Sequence, residues 1–181
     1  MGIFGKFRPK SRMQKLIDDL YDKNMEARKR AILELASMGE SAVEPLIENL
    51  KTIKSFPMVG GSPEALATIG EPAVESLTRI LKDSESTGMA RLGAIMALTK
   101  MTDGASWSLN RVLREKAVEP LIEALSRSDC KGLIFASVCS ALGRIGDPRA
   151  VEPMKKALEA SKDETWIKDV AKENIEKIQK R

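Results

Sequence analysis

Cys130 and Cys139 are the two thiols of a 181-residue chain that contains no histidine. Without an imidazole, Ser-His-Asp triads, Cys-His pairs, HExxH zinc sites and His-ligated iron are all excluded. The spacing of the two cysteines fits neither a CxxC redox pair nor a zinc knuckle. Two are too few to staple a secreted domain, so a reducing cytoplasm is the expected setting. Cys139 falls where Ile32 stands in an earlier helical segment and reads as a core residue. Cys130, in a turn between Asp129 and Lys131, reads as the more exposed, with one cation beside one acid giving little net activation of its thiol. No GxxxxGK[ST] loop, GxGxxG fingerprint or EF-hand spacing is present. Carboxylates are plentiful but carry no acid–base signature without a buried partner. No catalytic residue, cofactor site or metal site is assigned on this reading.

Recognition chemistry is better represented. Glu44, Glu75, Glu119 and Glu152 recur within four copies of one motif: AVEPL at 42–46, AVESL at 73–77, AVEPL at 117–121 and AVEPM at 150–154. One helical turn further on stand Glu48, Arg79, Glu123 and Lys156, on the same helical face. The stripe is acidic, six glutamates against one arginine and one lysine. It has two readings. A carboxylate in the first turn of a helix is stabilised by the exposed N–H groups there by up to ~1 kcal/mol. Alternatively, the same residues contact a basic or polar partner surface.

The motif copies start 31, 44 and 33 residues apart, the range of periods that marks a solenoid. Each copy opens an amphipathic B helix with apolar residues three and seven apart: Val43, Leu46, Leu50; Val74, Leu77, Leu81; Val118, Leu121, Leu125; Val151, Met154, Leu158. A second helix, A, precedes each B helix and carries a leucine column, Leu35, Leu66, Leu98 and Leu142. Beside it run a mostly small-residue column, Ala31, Ser62, Ala94 and Val138, and a third column, Met38, Ile69, Met101 and Ile145. Gly39, Gly70 and Gly146 stop the A helices, and Ser41 with Glu44 has capping-box spacing. Met13, Leu16 and Leu20 repeat the B spacing at the start, and Ala171, Ile175 and Ile178 the A spacing at the end. The expected fold is all-α, an α-solenoid of about ten helices, because one such unit cannot bury its stripe alone.

The segments ALGRIGDPRAVEPMKKAL (141–158) and ELASMGESAVEPLIENL (34–50) resemble the HEAT-like repeats of the phycobiliprotein-lyase type. The resemblance spans about residues 13–180 and implies HEAT-like helical pairs, with the B helices on the concave side. Its relatives include lyases, scaffolds and regulators, so a bilin-lyase-like enzyme or chaperone is one implied function. HEAT-like metal hydroxylases depend on His-Glu pairs that this chain lacks. HEAT-like DNA glycosylases pair a basic concave face with aromatic and Asp residues; Trp107 near Asp103 hints at that branch and the acidic stripe opposes it.

Two interruptions break the register. Segment 55–62, SFPMVGGS followed by Pro63, carries glycines and prolines that cost roughly 1 and 3 kcal/mol apiece inside a helix. The second A helix is therefore expected to begin late, near Pro63, after either a tolerated defect or a binding loop bearing Phe56 and Met58. The long spacing places an insertion at 102–115, where Leu109, Val112 and Leu113 predict a short added helix or an extension of the third B helix. Trp107 in that insertion reads either as a partner anchor or as cover for a solenoid edge.

Net charge is +4, with 43% hydrophobic and 31% charged residues, as in a folded globular chain. The excess is local: Lys6, Arg8, Lys10, Arg12 and Lys15 precede any acid. Residues 1–12 are expected to form a basic mobile tail, with contact to anionic lipid or an acidic partner as the other reading; 13–181 are expected to form one solenoid domain. Lys6 breaks the myristoylation pattern. No apolar run approaches the ~18 residues of a membrane span, and no signal peptide opens the chain. The preferred function is a non-enzymatic scaffold or adaptor for another protein; nucleic acid and small molecules are not expected.

Overall fold

The computed structural model describes residues 11–53, 61–103 and 106–181. Eleven α-helices follow one another: α1 (Arg12–Asp19), α2 (Met25–Ser37), α3 (Val43–Thr52), α4 (Gly61–Ile69), α5 (Glu71–Lys82), α6 (Gly88–Met101), α7 (Trp107–Lys116), α8 (Val118–Leu125), α9 (Leu133–Ile145), α10 (Val151–Ala160) and α11 (Thr165–Gln179). No strand occurs among the described residues. The A helices α2, α4, α6, α9 and α11 stack in one row, and the B helices α1, α3, α5, α8 and α10 in a second. The tenfold helical register is thus present, and the insertion supplies the eleventh helix: α7 packs on α5, α8 and α9. Its Leu113 is fully buried, and Leu109 and Val112 are packed against the core.

The periodic columns form the core between the rows. Leu35, Leu66, Leu98 and Leu142 are all 0% exposed, and Ala31, Ser62, Ala94 and Val138 are equally buried. Small residues matter where helices approach most closely. A Cβ on Gly61 would stand 2.7 Å from the Cβ and 2.8 Å from the carbonyl oxygen of Leu20, and one on Gly143 would overlap the buried side chain of Asn174 on α11. Ser62 is the one polar member of its column; its hydroxyl donates to Asn49 Oδ1 at 2.7 Å, and Tyr21 Oη donates to the same oxygen at 2.5 Å. That buried bridge ties α4 to α3 and the end of α1, and its burial raises the Tyr21 pKa.

Glycine ends three of the five A helices, α2, α4 and α9, as expected, with φ of +58° at Gly39, +81° at Gly70 and +71° at Gly146. Two local expectations are corrected. Helix α4 begins at Gly61, two residues before Pro63, because a proline in the first turn removes only an N–H that has no helical partner. Gly61 and Ser62 therefore belong to the helix, while 54–60, including Phe56 and Met58, lie outside the described residues. The Ser41–Glu44 capping box does not form. A 3-10 turn, Gly39–Ala42, precedes α3; Ser41 Oγ donates to the Met38 carbonyl at 2.8 Å, and Glu44 turns toward the next repeat. At the start of the chain, Ser11 caps α1 by accepting the Gln14 N–H, and Arg12 already lies in the helix; the rest of segment 1–12 is outside the described residues.

Candidate functional site

The B-helix glutamates do not form a uniform free stripe. Glu44 Oε1 accepts from Ser76 Oγ at 2.7 Å and from Arg79 at 2.6 Å, both on α5. The Ser76 hydrogen bond, with Arg79 and Lys51 assisting against partial burial, holds the Glu44 carboxyl below its ordinary range. Glu75 lies 3.7 Å from Lys116 at the end of α7. Glu119 accepts from Arg149 at 2.9 Å, in the 3-10 turn that precedes α10. Arg149 also grips Asp147 through two hydrogen bonds and donates to the Arg114 carbonyl. Three of the four glutamates thus bind a cation of the following unit, a ladder along the B row. The fourth, Glu152, pairs with Lys155 of its own helix at 2.8 Å. Glu48 pairs likewise with Lys51.

Past the ladder the row opens. A cleft of 1020 Å³ lies between α8 and α10, closed at one end by the α8–α9 turn and residues 161–163. Ile122, Leu125, Phe135, Ala157 and Ala160 give it an apolar lining. Glu123, Lys131, Glu152, Lys156, Lys162 and Asp163 supply its charged groups. The cleft therefore brings together three of the residues expected from sequence, Glu123, Glu152 and Lys156.

Its end wall is fixed by buried polar contacts. Asp163 Oδ1 accepts the Gly132 N–H at 2.8 Å, and Oδ2 accepts Ser161 Oγ at 2.7 Å. Arg91, 4% exposed on α6, donates to Asp129 in the α8–α9 turn and to the carbonyls of Asp83 and Ser84. A guanidinium buried this way is a rigid peg for the turn, since releasing it would strand its charge.

Cys130 lines the cleft and is only partly exposed. Burial, then the charges of Asp129 and Asp163, push its thiol up to about 12; burial does the same to Cys139. Both are protonated at neutral pH, so neither is a ready thiolate nucleophile. Among the described residues no group of three or more His, Cys, Asp or Glu is placed to hold a metal ion, and no helix is long and apolar enough to cross a membrane.

A second groove, of 470 Å³, runs along the A row between α6, α9 and α11. Leu133 (41% exposed) and Trp166 (51% exposed) border it with Met96, Ala136 and Val170. Trp166 Nε1 donates to Glu164 at 2.7 Å. Trp107 opens α7, and Asp103 near it pairs with Arg144. Sequence reasoning singled out Trp107 and missed Trp166. A signal was present: the position five before the small column is Glu26 in the first A helix but Met89, Leu133 and Trp166 in the third, fourth and last.

Comparison with known proteins identifies the architecture. A family model described as PBS lyase HEAT-like repeat matches residues 140–160. No curated protein matches the chain. Two crystal structures of engineered proteins are similar in fold. One is 18% identical over 93% of this chain and 79% of its own, with a TM-score of 0.54. The other is 21% identical over 92% of this chain and 47% of its own, with a TM-score of 0.55. A computationally designed armadillo repeat protein for modular peptide recognition aligns at 17% identity over 93% of this chain and 81% of its own, with a TM-score of 0.49. The chain is an α-solenoid of stacked helical pairs, and its residues 140–160 match the PBS lyase HEAT-like repeat.

Proposed function

We propose that this chain is a non-enzymatic scaffold or adaptor that holds a segment of another protein on its B-helix row, with the cleft between α8 and α10 as the principal grip. The observation that carries this reading is the cleft itself, an apolar depression of 1020 Å³ set in a row of charged helix faces. Recognition sites concentrate affinity where an apolar anchor is desolvated inside a polar rim. On this reading Glu123, Glu152 and Lys156 contact the partner. Glu44, Glu75, Arg79 and Glu119 serve it indirectly, by fixing the spacing of the row. Phe56, Met58 and Trp107, from the two interruptions of the repeat, are assigned as secondary contacts on the same reading.

Selection from a random peptide library on the immobilised protein tests this. Enriched peptides are expected to lose binding to Ala157→Arg, which fills the cleft, and to keep it when Glu44, Glu75 and Glu119 are changed to Ala. Enrichment of no peptide, or of peptides indifferent to Ala157→Arg, would move the site away from the cleft.

A further inference from the structure

The sequence stripe is acidic, yet the cleft's available charge has the opposite sign. Of its three carboxylates, Glu152 is neutralised by Lys155 at 2.8 Å. Asp163 is turned into the wall, accepting from the Gly132 N–H and from Ser161. Only the Glu123 carboxylate, exposed on α8, makes no hydrogen bond or ion pair among the described residues. The lysines differ: Lys131, Lys156 and Lys162 are exposed and make no ion pair or hydrogen bond among the described residues. Three open ammonium groups therefore surround an apolar floor against one open carboxylate.

We infer that the cleft takes an acidic, apolar-anchored peptide segment of a partner protein, its aliphatic side chains on Ile122, Leu125 and Ala157 and its carboxylates on Lys131, Lys156 and Lys162. This rests on the proposed docking reading and gives it a sign. The three lysines stand on three different elements: the α8–α9 turn, the middle of α10 and the α10–α11 connection. A chain with several spaced carboxylates offers each of them a partner. The side chains are flexible point charges, suited to carboxylates that vary in spacing. An apolar floor beneath them rewards an alternating acidic and aliphatic segment over a wholly acidic one.

Fluorescence anisotropy with four labelled probes tests the inference: peptides alternating Glu with Leu, Glu with Ser, and Lys with Leu, and a thymidine oligonucleotide. The Glu/Leu peptide is expected to bind, the Glu/Ser peptide about tenfold more weakly, and the other two not measurably. Lys131→Glu and Lys156→Glu should each weaken the Glu/Leu peptide about tenfold, and Lys82→Glu, on α5 outside the cleft, should leave it unchanged. Unchanged circular dichroism and melting temperature confirm that the variants fold. Preferential binding of Lys/Leu, abolished by Ala157→Arg, would overturn the sign and leave the docking reading intact. Equal binding of Glu/Leu and Glu/Ser, or of the oligonucleotide, would overturn the apolar anchor in favour of a plain polyanion site. If no probe binds, the inference falls, and the docking reading is then judged by the library selection alone.

Discussion

From α3 to the turn before α10 the motif glutamates Glu44, Glu75 and Glu119 reach forward into the next repeat, whereas Glu152 on α10 turns back onto its own helix. The difference follows from where each helix sits in the stack. Glu44 finds Ser76 and Arg79 ahead of it and Glu119 finds Arg149, so their charge is consumed inside the protein. After α10 the next helix is the A helix α11. Glu152 pairs with Lys155 one turn along its own helix, and the lysines around the cleft face solvent. One sequence motif thus builds two surfaces: a self-satisfied ladder, and an open pocket of the opposite sign.

The largest predicted effect asks whether the two regions share one folding unit. Leu98 is fully buried on α6, which packs against α4 and α9 and so joins the halves. Leu98→Ala should cost about 2–5 kcal/mol by lost burial and an incompletely collapsed cavity. Urea denaturation should retain a single transition, with fluorescence and circular dichroism superimposed. Two separated transitions would mean that ladder and cleft fold as independent blocks.

Next comes the contrast between buried and exposed charge. Asp129→Ala removes the carboxylate from Arg91, whose side chain is 5% exposed, and should cost about 1–3 kcal/mol. It should also loosen the α8–α9 turn, so that Lys131 contributes less to probe binding. A loss below about 0.5 kcal/mol would show that the carbonyls of Asp83 and Ser84 suffice to hold the guanidinium.

These two regions were not equally legible. The ladder's helices could be read because Val43, Val74, Val118 and Val151 recur with their leucines, and a helical period puts such residues on one face whatever they pack against. The inserted helix was legible from Leu109, Val112 and Leu113 for the same reason. The cleft was not, because it is assembled from α8, a turn, α10 and a connection whose proximity no local period encodes. The sign of its charge was hidden for a related reason. Counting six glutamates along the stripe gives an acidic face only if each charge is free, and pairing with Arg79 or Arg149 is a tertiary fact; the Glu152–Lys155 pair, within one helix, is local. Glu44 misled in the same way, since its spacing from Ser41 fits a capping box while Ser76 and Arg79 offer stronger partners from the next repeat.

The smallest effect probes the ladder directly, through pH. Glu44 has its carboxyl held below the ordinary value of 4.5 in the folded state, chiefly by Ser76. Its bonds therefore add stability that is fully present above that value and is lost as pH falls through the lowered folded value. The Glu44 and Arg79 side chains are 58% and 62% exposed, so solvent screening limits the contribution to about 0.2–1 kcal/mol. Glu44→Gln should lower stability to urea by that amount at neutral pH and by progressively less as the solution is acidified below pH ~4. Added salt should shrink the neutral-pH difference. The same Gln substitution at Glu123, whose carboxylate makes no ion pair or hydrogen bond among the described residues, should leave stability to urea at neutral pH unchanged while altering probe binding. A Glu123 effect on stability equal to that of Glu44 would erase the distinction between ladder and cleft.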